Sequence, residues 1–236
     1  MMGNNPIRKQ DLWTGDLNGH LVVHSMWHTL QGEGPFSGRP AVFIRLWGCN
    51  LKCYWCDTDF ESSKQTLSAE AIVQHIKIIR GPWTNLVVIT GGEPFRQNIS
   101  RLVTNLNRSG MDVQIETAGS LTIPDFPWHR CHVVVSPKTG KVNPAIRQNA
   151  VAWKYIIKAG EISDEDGLPI MSTQIEGREA RLARPPDDFP RDKIDLSPCD
   201  VQDEGWNKAN TRLAAELCLK HGYRLSLQVH KLVGVD

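Results

Sequence analysis

Strand-length apolar runs recur along this 236-residue chain, and nearly every one ends in glycine, proline and polar residues. The run 41–47 is almost continuously apolar and delivers the chain into a cysteine-rich loop. Residues 86–89 end in Thr90-Gly91-Gly92-Glu93-Pro94, and 113–115 in Glu116-Thr117-Ala118-Gly119. Residues 132–135 end in Ser136-Pro137-Lys138, and 194–196 in Ser197-Pro198-Cys199-Asp200. Residues 21–29 and 153–157 read as further strands, and 223–229 as a last one closing on Gln228-Val229-His230. Helical periodicity fills several gaps. Ser68 precedes Ile72, Val73, Ile76 and Ile79, with Gly81-Pro82 as the stop, and a second stripe runs through Ile99, Leu102, Val103 and Leu106 to Gly110. A third helix covers 209–220.

Runs that are apolar throughout belong to strands covered on both faces, as in parallel sheets. Right-handed helical crossovers then bring all the C-terminal strand ends to one edge, where α/β folds keep their sites. The expected fold is therefore α/β, a mostly parallel sheet forming an incomplete (βα)6-type barrel in one domain over 21–236. Residues 1–20 are polar and read as a loosely ordered extension. The charged, proline-rich stretch 160–192 has no period and predicts no element.

The cysteine loop narrows the chemistry. Cys49, Cys53 and Cys56 place three of the six cysteines within eight residues, spaced C-x-x-x-C-x-x-C. A closed structural metal site takes four protein ligands, whereas three leave a position open. A cubane iron–sulfur cluster held by three thiolates keeps one iron free for another ligand. The competing reading is a zinc knuckle completed by His28 or His75, but the chain has no second C-x-x-C or H-x-x-x-H arm. Cys131, Cys199 and Cys218 are isolated and read as buried thiols. Lys plus Arg number 27 against 26 Asp plus Glu, with no block of like charge, so neither nucleic acid nor a membrane surface is an expected partner. With no long apolar span and no signal-peptide core, a soluble cytoplasmic protein is expected.

With Trp55 directly before the third cysteine, this loop resembles the signature of the radical S-adenosylmethionine (SAM) superfamily. The resemblance implies a radical SAM barrel and a [4Fe-4S] cluster whose open iron chelates SAM. One-electron reduction then releases a 5′-deoxyadenosyl radical. The Gly91-Gly92-Glu93-Pro94 turn is similar to the superfamily's SAM-amino turn, although an ordinary tight turn would use the same residues. Further segments narrow the match: Thr29-Leu30-Gln31-Gly32-Glu33-Gly34, Phe43-Ile44-Arg45-Leu46, Cys56-Asp57-Thr58, Ile115-Glu116-Thr117 and the terminal Gln228-Val229-His230-Lys231. Together they resemble the 7-carboxy-7-deazaguanine synthases of the queuosine pathway.

That family resemblance implies ring contraction of 6-carboxy-5,6,7,8-tetrahydropterin to 7-carboxy-7-deazaguanine with loss of ammonia. It also implies SAM as a regenerated cofactor, Mg2+, a homodimer and a flavodoxin- or ferredoxin-type electron donor. By position, Leu30, Gln31, Gly32, Arg45, Thr90, His230 and Asp236 match substrate contacts. Trp55, Cys56, Asp57, Gly92, Ser136, Pro137, Lys138, Ser197, Pro198, Cys199 and Asp200 match SAM contacts, and Thr58 matches a magnesium ligand. An arginine in an apolar strand is costly to bury alone, and a substrate carboxylate suits its guanidinium. An internal ion pair with Glu33 or Glu116 would serve Arg45 equally well. The family usually has glutamine at the Ser197 position and proline at the Asp236 position. The rival functions are a glycyl-radical activating enzyme, which shares the cysteine spacing, and a non-catalytic iron–sulfur or zinc protein.

Overall fold

The side chains of a strand alternate between two faces, so each apolar run must find cover on both. The computed structural model, which describes residues 19–235, supplies that cover asymmetrically. Its elements are β1 (His20–Leu30), β2 (Pro40–Leu46), β3 (Gln65–Ser68), α1 (Ala69–Ile79), β4 (Leu86–Gly91), α2 (Ser100–Arg108) and β5 (Asp112–Thr117). There follow β6 (His132–Val135), α3 (Pro144–Asn149), β7 (Ala150–Ile157), β8 (Ile194–Pro198), α4 (Glu204–His221), β9 (Arg224–Leu225) and α5 (Val229–Val233). The strands form one sheet in the order β3-β1-β2-β4-β5-β6-β7-β8-β9. From β2 through β9 every neighbouring pair is parallel. Six full-length parallel strands and the two-residue stub β9 make the expected incomplete barrel.

On one face, Val42, Ile44, Leu46, Val87, Ile89, Val113, Ile115, Trp153, Tyr155 and Leu196 pack with Ile72, Ile76, Leu102, Leu106, Ala214 and Leu217 of the helices. The other face changes character along the strands. Near their starts it is apolar, with Ala41, Leu86 and Val88 packed against Phe36 and Phe43. By strand alternation the same face then carries Arg45, Thr90, Gln114, Glu116, Lys154, Asp195 and Ser197 toward the C-terminal ends. Arg45 and Thr90 are register partners, as are Lys154 and Asp195. The polar layer thus sits at the edge where the connecting loops converge.

Capping follows the sequence. Ser68 accepts the Ala71 N–H at 3.1 Å to start α1, and Asp203 accepts Trp206 N–H at 2.9 Å to start α4, more than a turn before the expected 209. Three expectations need correction. The first strand is antiparallel to β2, because the connection between Leu30 and Pro40 is too short for a crossover. Gln31 N–H to Arg39 O (2.8 Å) and Gly38 N–H to Gln31 O (2.7 Å) close that hairpin. A strand absent from the sequence reading, β3, pairs antiparallel with the far side of β1. The last strand is only Arg224–Leu225. Ser226 N–H still reaches Leu196 O at 2.9 Å, but the next residue of β8 due to donate is Pro198, which has no N–H. The chain therefore leaves the sheet, and His230 lies in α5 and not at a strand end. Most of the proposed 1–20 extension, and Asp236, lie outside the described residues, while His20 already belongs to β1.

Candidate active site

The cysteine loop leaves β2 at the polar edge and is anchored from both sides. Gly92 N–H donates to Leu46 O at 3.3 Å and Glu93 N–H to Gly48 O at 3.0 Å, which lays the turn after β4 against the start of the loop. A Cβ on Gly92 would overlap the Gly48 carbonyl, and Gly91 holds φ at +130° against the Leu46 backbone. Both glycines are therefore required by backbone approach alone. Glu93 is fully buried and held by neighbouring donors. Its Oε1 accepts from Thr117 Oγ1 (2.6 Å) and Phe95 N–H (3.1 Å), and its Oε2 from Ala118 N–H (2.9 Å). Burial pushes its carboxyl above the ordinary range against those hydrogen bonds. It ties the β4 and β5 ends together, a role the sequence reading missed.

Within the loop, Cys56 N–H donates to Cys53 O at 3.2 Å and Leu51 N–H to Cys49 Sγ at 3.4 Å. All three thiols are free and partly exposed. Burial, then Glu93 and the other two thiols, push Cys49 up to about 12, and burial raises Cys56. Such neighbouring thiols ionise readily only beside a strong cation, which iron supplies. As they stand, no three His, Cys, Asp or Glu side chains among the described residues converge as a metal cage. Three thiols on one short loop fit a cubane with an open iron and do not complete a structural zinc site.

Four of the expected SAM residues, Trp55, Pro137, Lys138 and Cys199, line one cavity of about 310 Å³ beside this loop. Its remaining wall includes Met171, Thr173 and Leu182, so the aperiodic stretch 160–192 forms a side of the cavity. Lys138 Nζ donates to Ser136 O at 3.0 Å, and burial lowers its pKa although Cys53 and Asp57 oppose that. Ser197 is buried on the polar inner face, away from the lining of that cavity. Asp200 is committed to Asn207 Nδ2 (2.8 Å), Gln202 N–H (3.0 Å) and Lys231 Nζ (3.2 Å). Pro198 ends β8 between these two. At the loop exit Thr58 Oγ1 donates to Asp57 Oδ1 at 3.0 Å.

The inner-face cluster is built around Lys154. Its Nζ lies 2.8 Å from Glu33 Oε2 and 4.0 Å from Glu116 Oε2, all three side chains being buried or nearly so. Gln31 and Gln114 each donate an amide N–H to Glu116 Oε1 at 3.0 Å, and Gln31 Oε1 accepts Glu33 N–H at 3.1 Å. Burial alone would raise Glu33, but Lys154 overrides it and holds the carboxyl below its ordinary value. Burial likewise opposes the charge on Lys154, and Glu33 followed by Glu116 raises its pKa regardless. Lys154 was missed in the sequence, although a lysine in an apolar strand is the same signal that marked Arg45.

Arg45 does not pair with either carboxylate. Its guanidinium stacks over the Trp27 ring at 4.8 Å and touches Asp59 O at 3.5 Å, while its buried Nε has no partner among the described residues. Burial lowers its pKa, and Asp57 and Asp59 partly restore it. Leu30 ends β1 and leads into Gln31 and Gly32. A Cβ on Gly32 would overlap the His230 imidazole, and Val229 N–H donates to Gly32 O at 3.2 Å, so α5 folds directly over this hairpin. Burial lowers the His230 pKa, with Glu33 acting in the other direction. Arg45 and Thr90 thus share the inner face at the C-terminal strand ends. Gln31, Gly32 and His230 lie together at the hairpin opposite Arg39, and the hairpin reaches that face through the Gln31–Glu116 hydrogen bond.

A partial α/β barrel with three cysteines on the loop after its first parallel strand defines a radical SAM protein, and the Radical SAM superfamily model matches residues 46–127. The 7-carboxy-7-deazaguanine synthase of Rhodospirillum rubrum is 44% identical over 100% of both chains, and that of Rickettsia prowazekii 38% over 100% of this chain and 96% of its own. The crystal structure of QueE from Escherichia coli superposes with a TM-score of 0.66 at 28% identity, covering 89% of this chain and 94% of that one. The chain belongs to the 7-carboxy-7-deazaguanine synthase family.

Proposed function

We propose that the polar strand edge performs the family's reaction, contracting 6-carboxy-5,6,7,8-tetrahydropterin to 7-carboxy-7-deazaguanine with release of ammonia. Cys49, Cys53 and Cys56 hold the [4Fe-4S] cluster, and SAM lies in the cavity between Trp55, Pro137, Lys138 and Cys199. The bound cluster and SAM supply the one-electron chemistry that opens the reaction. Gly92, Ser136 and Asp57, outside that lining, contribute to SAM binding as the family resemblance implies. The protein's own part is to seat the pterin against it and keep water out.

The observation that carries this reading is the Arg45 guanidinium, half-buried on the inner face, with a buried Nε that no group among the described residues satisfies. A carboxylate on the pterin gives it the partner that a planar guanidinium takes bidentately. Thr90, its register partner, offers a hydroxyl on the same face. Glu33 and Glu116, which both face Lys154, accept from the amino and ring N–H groups of a pterin. Leu30, Gln31, Gly32 and His230 close the remaining side, with the Asp236 position at the chain's end. Mg2+ sits at Thr58, completed by substrate oxygens and water, as suits a cation that dehydrates reluctantly. The enzyme works as a cytoplasmic homodimer reduced by a flavodoxin- or ferredoxin-type donor; no helix among the described residues is long and apolar enough to cross a membrane.

Binding separates the carboxylate contact from the rest. Isothermal titration of reconstituted, SAM-loaded enzyme should show Arg45→Met losing at least about tenfold in affinity for the 6-carboxylated pterin. Affinity for the pterin without that carboxylate should stay within about twofold of wild type. Equal losses for both ligands would remove Arg45 from the carboxylate, and no binding of either ligand to wild type would remove the pterin from this site.

A further inference from the structure

We infer that Gln174, from the aperiodic stretch 160–192, is a positioning residue that sets the reduction potential of the cluster through a hydrogen bond to Cys53. The inference rests on Cys53 being a cluster ligand. Gln174 Nε2 lies 3.1 Å from Cys53 Sγ and donates at 2.7 Å to Thr173 Oγ1. Its Oε1 accepts the Lys52 N–H at 2.8 Å. That last bond settles the amide's orientation: a flipped side chain would set NH2 against an N–H, so the nitrogen is the atom facing the sulfur.

The neighbouring hydroxyl cannot take over. Thr173 Oγ1 lies 3.5 Å from Cys53 Sγ, but its single proton is given to Lys138 O at 2.8 Å. A thiolate accepts and does not donate, so among the described residues Gln174 is the side chain with a proton to offer Cys53 once the sulfur binds iron. Two other bonds pin the Gln174 amide and hold its N–H toward the Cys53 sulfur. Tyr54 N–H to Thr173 O (3.1 Å) fastens the backbones of the two segments as well. The segment thus grips the cysteine loop at residues 52, 53 and 54.

Hydrogen bonds to cluster sulfurs favour the more electron-rich, reduced state, and outer contacts of this kind tune metal sites substantially. Gln174→Glu keeps the acceptor for Lys52 N–H and replaces the donor with a carboxylate oxygen. In potentiometric EPR titration of the holoenzyme without SAM, the reduced-to-oxidised ratio at fixed potential should fall by about tenfold or more, which for one electron is about 59 mV more negative. An unchanged midpoint in a variant with full iron content overturns the proposal. Should the variant not take up its cluster, the wild-type holoenzyme decides. Glutamine labelled with 15N in its side chain should give a nitrogen coupling to the reduced cluster in pulsed EPR, and absence of that coupling overturns the proposal too. Iron content of Cys53→Ala keeps the two readings apart. If that variant retained about four irons, the ligand assignment would fail, whereas a silent Gln174 beside a cluster that needs Cys53 would refute the tuning alone.

Discussion

Replacing Lys154 by methionine removes one cation from between two buried carboxylates. At an effective dielectric constant of about 20, attraction across the 2.8 Å and 4.0 Å separations is roughly 6 and 4 kcal/mol before desolvation. Most of that offsets the cost of burying the charges, and breaking such a pair from one side typically costs about 3–5 kcal/mol. For a chain of this size that lowers the melting temperature by about 6–20 °C. The loss should depend on pH. In the wild type, Glu33 is held below its ordinary pKa, so its contribution is present above the unfolded value and fades as pH falls through the folded one. In Lys154→Met burial acts on Glu33 against only the weaker pull of Ser197 and His230, so its pKa rises and the penalty of the charged form shrinks as acid protonates it. Urea unfolding at pH 7.5 and 5.0 should therefore show a larger gap between variant and wild type at pH 7.5. Adding Glu33→Gln to Lys154→Met should recover most of the loss, since the nearer and more deeply buried of the two stranded carboxylates is gone. A loss under about 1 kcal/mol at pH 7.5, or one equal at both pH values, would refute the reasoning.

Thr58→Val keeps the side chain's shape and removes its hydroxyl, so turnover should need more magnesium while iron content and SAM binding stay intact; an unchanged magnesium dependence would take Thr58 out of the site. Gly92→Ala drives a methyl into the Gly48 carbonyl, so a loss of about 3 kcal/mol or more, read from urea unfolding, is expected, and a neutral variant would contradict the packed turn. His230→Ala and deletion of residues 233–236 should each depress turnover of the pterin, whereas Asp236→Ala should be nearly silent. A silent deletion would mean that the tail does not close the site.

The parallel strands and their shared polar edge were legible because each run carries its own period and stop. The helix from Ser68 was legible for the same reason, its cap and its apolar stripe agreeing. What could not be read depends on contacts distant in sequence. The stretch 160–192 has no period because it is held by side chains and isolated bridges. Arg184 reaches Asp166 at 2.7 Å, and Ile162 bridges to Pro169 and Met171 to Glu179. Its grip on the cysteine loop through Thr173 and Gln174 leaves no local pattern either. The end of β9 was misjudged because the stop lies in Pro198 of the neighbouring strand, while 223–229 itself remains a plausible strand sequence. Arg45 was noticed and Lys154 was not, though both are lone cations in apolar runs. The partner of Lys154 is Glu33, 121 positions away, and only the folded sheet brings them together.

The central claim is that the cysteine loop and the polar strand edge form one ring-contracting site. The most direct measurement is anaerobic incubation of the reconstituted protein with SAM, a chemical reductant, Mg2+ and 6-carboxy-5,6,7,8-tetrahydropterin, followed by mass spectrometry. The account predicts 7-carboxy-7-deazaguanine and ammonia in equal amounts from the wild type, SAM carried over many turnovers, and no product when Cys49, Cys53 and Cys56 are all changed to alanine. Reductive cleavage of SAM by the wild type with no deazaguanine formed, or product from the triple variant, would contradict it.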